Sequence, residues 1–230
     1  MRRLVLATAN RHKVGELQAA LAAAGVALEV VPATAVGPAP VIVEDQDSFV
    51  AHAALKAHGI GDWLAGRGEP GDTLVLADDS GVCIDALDGA PGVDSAVFAG
   101  PQADDQANND RMIAELAARG LDRSACHYVC VLALRRVDAA ALAVRGEATA
   151  GPGAGLVLFT ARWDGEIRRE RRGAGGFGYD PHVWIPGEAG EQTVAELPAA
   201  VKAGRSHRGQ AVTQLVGYLR GGLDRGEKTE

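Results

Sequence analysis

Apolar and polar positions recur with two different periods along this chain, and the switches between them mark out its elements. RLVLATA, beginning at Arg3, is an almost unbroken apolar run, as in a strand buried on both faces. In HKVGELQAALAAAG the apolar residues return at helical spacing, with Asn10 placed to cap the helix and Gly25 to stop it. VALEVV predicts a second strand. From Ser48 to Leu64 the spacing of Phe49, Ala53, Leu55 and Ala57 predicts a helix, closed by the loop AGRGEPGD. TLVLA predicts a third strand with Asp78 and Asp79 at its carboxyl end. A helix is expected from Asp104 to Arg119 and a long strand from Cys126 to Arg136. The Ala- and Gly-rich stretch from Val137 to Arg162 predicts two strands around TAGPGAG. GGFGYDP reads as a glycine-rich loop, and Ser206 as the cap of a last helix carrying Leu215, Val216 and Leu219. Strands alternating with helices predict an α/β sheet with helices on its faces and sites beyond strand carboxyl ends.

Length and composition narrow this. The 230 residues, 47% hydrophobic and 23% charged, suit one globular folding unit, read as a single domain over residues 1–220 with a flexible tail at 221–230. A net charge of -7 offers no basic face to duplex DNA or an anionic membrane, so polymeric nucleic acid and membranes are not expected partners. The first residues, MRRLVLATAN, hold an apolar run too short for a signal peptide or a spanning helix, which predicts a cytoplasmic protein. Cys83, Cys126 and Cys130 cannot all pair. Cys126, His127 and Cys130 could be zinc ligands, but no second ligand pair matches them, and packing on a buried strand is the favoured reading.

Four stretches carry candidate chemistry. At the first helix start, free N–H groups and the helix dipole attract an anion. Lys13 stands in that first turn, where the dipole disfavours a cation, and a bound phosphate reverses the preference; Thr8 and Asn10 are near enough to share it. A solvated lysine is the competing reading. The second stretch is the Asp78–Asp79 pair, hard oxygen ligands of the kind Mg2+ takes together with substrate phosphates. Successive strand residues face opposite ways, so Asp79 is assigned as general base and metal ligand, Asp78 as its neighbour, and Glu44 as a further ligand. A turn built on Ser80 and Gly81 competes with this. Third, Phe177 and Tyr179 alternate with glycines as a platform for a flat ring, or as two aromatics anchoring a tight turn. Fourth, KAGRSHRGQA gathers Lys202, Arg205, His207 and Arg208, donors suited to the O6 and N7 edge of a purine, or a solvated basic surface.

Phosphate binder, metal carboxylates, aromatic platform and purine-edge donors are together what a nucleoside triphosphate with magnesium requires. TANRHKVGEL, ADDSG with DALDGAPGVDSA, GGFGYDP and TVAELPAAVKAGRSHRGQA, in that order, resemble the motifs of the inosine/xanthosine triphosphate pyrophosphatases, house-cleaning nucleotide hydrolases. The resemblance runs from residue 4 to about 215. It implies a mixed central sheet flanked by helices, two lobes with the substrate cleft between them, and a homodimer. It also implies hydrolysis of ITP, dITP and XTP to the monophosphate and pyrophosphate with Mg2+. Carried over by motif, Thr8, Ala9, Asn10, Arg11, His12 and Lys13 contact substrate, Glu44 and Asp79 hold the metal, Asp79 accepts the proton, and Lys56 faces the phosphates. Ser80, Phe177, Gly178, Tyr179, Asp180, Lys202, His207 and Arg208 bind the nucleotide.

The chain departs from the family pattern in a longer stretch from Val137 to Arg162 and at three short motifs. His52 and Ala53 stand where Asn-Ala is usual, Asp94 to Val97 where Tyr-Ser-Ala-Arg is usual, and Val201 to Ala203 where Glu-Lys-Asn is usual. Two other readings follow: a pyrophosphatase of broader or different base preference, and a nucleotide-binding module without catalysis.

Overall fold

The computed structural model describes residues 2–8, 11–138, 155–187 and 190–223, without the side chains of residues 11, 12, 222 and 223. The chain divides into two compact units, one formed by Met1–Asp79, Val131–Thr160 and Ala211–Glu230, the other by Ser80–Cys130 and Ala161–Gln210. Among the described residues the seven strands are β1 (Arg2–Leu6), β2 (Leu28–Pro32), β3 (Leu74–Ile84), β4 (Arg123–Arg136), β5 (Val157–Arg168), β6 (Val183–Gly187) and β7 (Gly190–Thr193). They form one mixed sheet in the order β2-β1-β3-β4-β5-β6-β7. The helices are α1 (Arg11–Ala23), α2 (Ala33–Val36), α3 (Phe49–Gly66), α4 (Asp105–Ala118), α5 (Ala199–Arg205) and α6 (His207–Leu223). The expected α/β class is the one observed. No helix among the described residues is long and apolar enough to cross a membrane.

In the first unit β1 pairs in parallel with β2, Leu4 opposite Val30, and with β3, Leu4 opposite Leu74. Parallel pairing needs a crossover, which α1 supplies between β1 and β2, and both faces of such strands must be covered. Leu4, Val5, Leu74, Val75 and Leu76 are accordingly buried without alternation. Helix α3 covers this sheet with Ala53, Ala57, Ile60 and Leu64, spaced three or four apart on one stripe. Ser48 caps it, its hydroxyl accepting from the Ala51 amide at 3.2 Å.

In the second unit β5, β6 and β7 pair antiparallel. Its core gathers Val82, Ile84, Met112, Leu116, Cys126, Tyr128, Ile167, Tyr179 and Val183. Asp104 caps α4, accepting from the Ala107 amide at 2.8 Å.

Several boundaries differ from the sequence expectation. Strand β3 does not end at the aspartates: it continues through Asp78, Asp79, Ser80 and Gly81 to Ile84, because Val82 and Ile84 are fully buried in the second unit's core. DDSG is strand here and not a turn. The basic stretch after Pro198 is helix α5 where a loop was expected, and β6 and β7 were not anticipated. Helix α6 runs to Leu223, three residues into the expected tail, and residues 224–230 lie outside the described residues. Between Val137 and Arg162, β5 supplies one strand, and residues 139–154 are outside the described residues.

Cys126 and Cys130 are both buried on β4. Four strand residues apart, their Cα atoms are separated by about 13 Å, too far for one metal ion. Burial, with the negative charges of Asp85 and Glu166 behind it, pushes the Cys126 thiol up to about 12. At pH 8 about one Cys126 in ten thousand is then thiolate. Cys126 should stay unmodified by iodoacetamide at pH 8 in the native protein and react fully in urea, read by peptide mass; rapid native alkylation would contradict its burial.

Candidate active site

The first unit concentrates charge around the paired aspartates. Adjacent on β3, they point to opposite faces and each meets its own lysine. Lys13 in the first turn of α1 places its Nζ 2.7 Å from Asp78 Oδ1. Lys56 on α3 places its Nζ 2.7 Å from Asp79 Oδ1 and 2.7 Å from Glu44 Oε2. The repulsion between neighbouring carboxylates is thus relieved before any ligand arrives, by cations from two different helices.

His52 and Lys56 are one turn apart on α3, so their side chains stand on the same face. The His52 Nδ1 lies 3.3 Å from Glu44 Oε2 and 3.7 Å from Asp79 Oδ2. Neither ring nitrogen makes a hydrogen bond, and neither does Asp79 Oδ2, although all three atoms are buried. Glu44, His52 and Asp79 each offer a ligand atom within 4.8 Å of the others, the one such cluster of His, Cys, Asp and Glu among the described residues. Asp79 is 7% exposed. Burial raises its pKa above the ordinary carboxylate value, against the pull of Lys56. Burial disfavours the Lys56 ammonium, but hydrogen bonds and attraction from Asp79 and Glu44 outweigh it and raise its pKa. Lys56 therefore stays charged throughout the physiological range.

The second unit holds the aromatic and basic residues. Gly176 and Gly178 adopt left-handed backbone, φ 76° and 59°, and a Cβ on Gly176 would lie 2.1 Å from Asp180 Oδ2. Only glycine allows that turn. The loop is pinned to α4: the Gly178 amide donates to Asp105 Oδ2 at 2.7 Å, and Asn109 Nδ2 donates to the Gly178 carbonyl at 3.0 Å. Asp180, 3% exposed, accepts from the Phe177 amide at 2.9 Å, from the Tyr128 hydroxyl at 3.0 Å and from Lys202.

This framework presents Phe177 outward, 57% exposed. Lys202 Nζ lies 4.4 Å and the Arg208 guanidinium 5.7 Å from its ring centroid. Arg208 donates to Ser80 Oγ at 2.7 Å, and His207 stacks on Tyr128 at 4.7 Å between centroids, 9° between planes. Tyr179 is placed differently from its neighbour: its ring is buried in the core and its hydroxyl donates to the Ser95 carbonyl at 3.0 Å. The platform is Phe177 alone. Arg205 turns away toward the Pro186 carbonyl at 3.5 Å.

The whole chain matches a known family. The Ham1 family model aligns with residues 4–218. The chain belongs to the Ham1 family. Among its Ham1 relatives, a dITP/XTP pyrophosphatase of Ralstonia nicotianae is 43% identical, the match covering 96% of this chain and 98% of that protein. One of Streptomyces coelicolor is 39% identical over the same shares. The HAM1 protein of Coxiella burnetii superimposes with a TM-score of 0.80 at 32% identity, covering 96% of this chain and all of that one.

Of the residues expected at the site, the first unit brings together Glu44, Lys56 and Asp79, and sets Lys13 on Asp78. The second assembles Ser80, Phe177, Gly178, Asp180, Lys202, His207 and Arg208. Thr8 follows β1, its amide bonded to the Leu6 carbonyl at 2.7 Å. Ala9 and Asn10 lie outside the described residues, as do the side chains of Arg11 and His12. Sequence reasoning missed Tyr128, Asp105 and Asn109, which hold the loop. For Tyr128 the signal was its parity with Cys126 and Cys130 on one strand.

Proposed function

We propose that this Ham1 chain is a nucleoside triphosphate pyrophosphatase that hydrolyses dITP, ITP and XTP to the monophosphate and pyrophosphate with Mg2+, clearing non-standard purines from the nucleotide pool. The observation that carries it is the buried Asp79, whose Oδ1 rests on Lys56 while Oδ2 has no donor and faces the Glu44–His52 cluster. A buried, unsatisfied carboxylate oxygen among further ligand groups fits a divalent cation, held by Glu44 and Asp79. The bound cation supplies charge neutralisation for the phosphate oxygens. Asp79, its pKa raised by burial, accepts the proton of a water whose oxygen bonds to the α-phosphorus as the bond to the bridging oxygen breaks. Lys13 and Lys56 offset negative charge on the phosphate oxygens.

For the base, Phe177 offers a stacking face worth about 1–3 kcal/mol, and Arg208 and Lys202 offer donors to a 6-keto oxygen. Adenine presents an amino group there and would leave a donor unpaired. The same reading has the enzyme act in the cytoplasm, where the free nucleotide pool lies, and as a homodimer, for which the family resemblance is the only support. A panel of ITP, dITP, XTP, GTP and ATP, with pyrophosphate and orthophosphate assayed separately, tests it. The expected result is pyrophosphate release with kcat/KM for ITP and XTP at least about a hundredfold above that for ATP. Equal ATP turnover would remove the base assignment, orthophosphate release the cleavage assignment, and tight ITP binding without turnover would leave a binding module.

A further inference from the structure

The geometry points to His52 as a third, nitrogen ligand at the metal site: Glu44, His52 and Asp79 together make a mixed oxygen–nitrogen centre that binds a first-row transition cation such as Co2+ or Mn2+ more tightly than the Mg2+ with which the reaction is proposed to run. The inference rests on the reading above that Glu44 and Asp79 hold the metal, and it concerns the residue that departs from the family pattern, since Asn is usual where this chain has His52.

His52 is 4% exposed, and neither of its ring nitrogens makes a hydrogen bond. A buried imidazole ordinarily bonds through at least one nitrogen, so both standing idle calls for a partner. What Nδ1 faces is acidic on two sides, Glu44 Oε2 at 3.3 Å and Asp79 Oδ2 at 3.7 Å. In the tautomer with its proton on Nε2, Nδ1 turns a lone pair toward these two oxygens, and a cation placed among the three atoms is what such an arrangement suits. Lys56 does not fill this role: its ammonium uses Asp79 Oδ1 and Glu44 Oε2, leaving Oδ2 on the imidazole's side without a donor. The three groups come from different kinds of backbone. Asp79 is fixed on β3 and His52 on the first turns of α3, so two of the three groups sit on regular elements, and Glu44 reaches them from the segment before the helix cap.

Ligand type then decides the metal. Mg2+ takes oxygen ligands and keeps its waters, whereas imidazole suits the later divalent ions, whose affinity rises through the first row from Mn2+ to Co2+ and Ni2+. An asparagine at residue 52 presents a carbonyl oxygen and restores an all-oxygen set.

The test compares the full-length protein with His52→Asn and Asp79→Asn by Co2+ titration, followed by visible absorption, and by Mg2+ competition. Mn2+-loaded samples are examined by pulsed EPR for imidazole nitrogen coupling. Expected are nitrogen coupling in the parent, its loss in His52→Asn, and Co2+ affinity at least about tenfold weaker there, with Mg2+ affinity changed less than about threefold. Unchanged Co2+ affinity and coupling in His52→Asn, with binding lost in Asp79→Asn, would remove His52 from the site while sparing the carboxylates. Retention of Co2+ in Asp79→Asn as well would overturn the metal assignment itself. Should His52→Asn fail to fold, the parent's EPR decides, since absence of nitrogen coupling there refutes the inference.

Discussion

Replacing Asp79 with asparagine is expected to lower kcat for ITP by at least about a thousandfold while leaving the fold in place. Loss of a positioned general base accounts for a factor of about 10² to 10⁴, and the same side chain is assigned to the cation, so the two effects act together. Stability responds far less, because opposing changes meet at this residue. The substitution removes a carboxylate whose charge burial disfavours, which helps the folded state. It also takes one partner from Lys56, which keeps Glu44 at 2.7 Å. The net effect should stay within about 1 kcal/mol, or 2–4 °C in the melting midpoint for a chain this long. Circular dichroism and scanning calorimetry check the fold, and pyrophosphate release checks turnover. Activity within tenfold of the parent would mean that another group takes the proton and that Asp79 serves the lysine alone.

How far the sequence could be read depended on the strength of its periodicities. β1, α1, α3, α4, β4 and α6 were legible because each carries enough apolar residues at one spacing to define a face. α5 was not: none of its seven residues is buried, so there is no stripe to see. β6 and β7 are five and four residues long, and Pro186 interrupts the first. Asp-Asp-Ser-Gly has turn chemistry, yet two apolar residues beyond it are needed by the core, and packing overrides local preference.

The site shows the same division. Charged residues of unusual type in unusual places identified Lys13, Glu44 and Asp79 as candidates. Their pairing was invisible, since Lys13 and Asp78 lie 65 positions apart and Lys56 and Asp79 lie 23 apart. Phe177 and Tyr179 look equivalent in GGFGYDP. Only the left-handed turn at Gly178 between them sends one ring to solvent and the other to the core. His52 carried a local signal, its i,i+4 relation to Lys56, that turns a substitution within a helix into a residue facing the carboxylates.

Truncating Asp180 to alanine should destabilise the second unit strongly. The carboxylate accepts from three donors, the Tyr128 hydroxyl, the Phe177 amide and Lys202, and each is left behind when it goes. Tyr128 cannot answer by ionising, because burial, the largest cause of its raised pKa and one that does not depend on Asp180, disfavours the phenolate. Removing one partner of a buried ion pair costs about 3–5 kcal/mol. At 2–4 °C per kcal/mol the melting midpoint should fall by roughly 10 °C. Asp180→Asn, whose amide oxygen can still accept from the Phe177 amide and Lys202 on the Oδ2 side while its NH2 donates to a reoriented Tyr128 hydroxyl on the Oδ1 side, should fall by less than half as much. Function should separate along the same line. Phe177 loses the bond that fixes its backbone and Lys202 loses its anchor, so KM for ITP should rise at least about tenfold. Asp79, Glu44 and Lys56 belong to the other unit and are untouched, so kcat at saturating ITP should stay within about threefold. A melting midpoint within 2 °C of the parent, or a loss confined to kcat, would show that Asp180 does not hold this loop for the base.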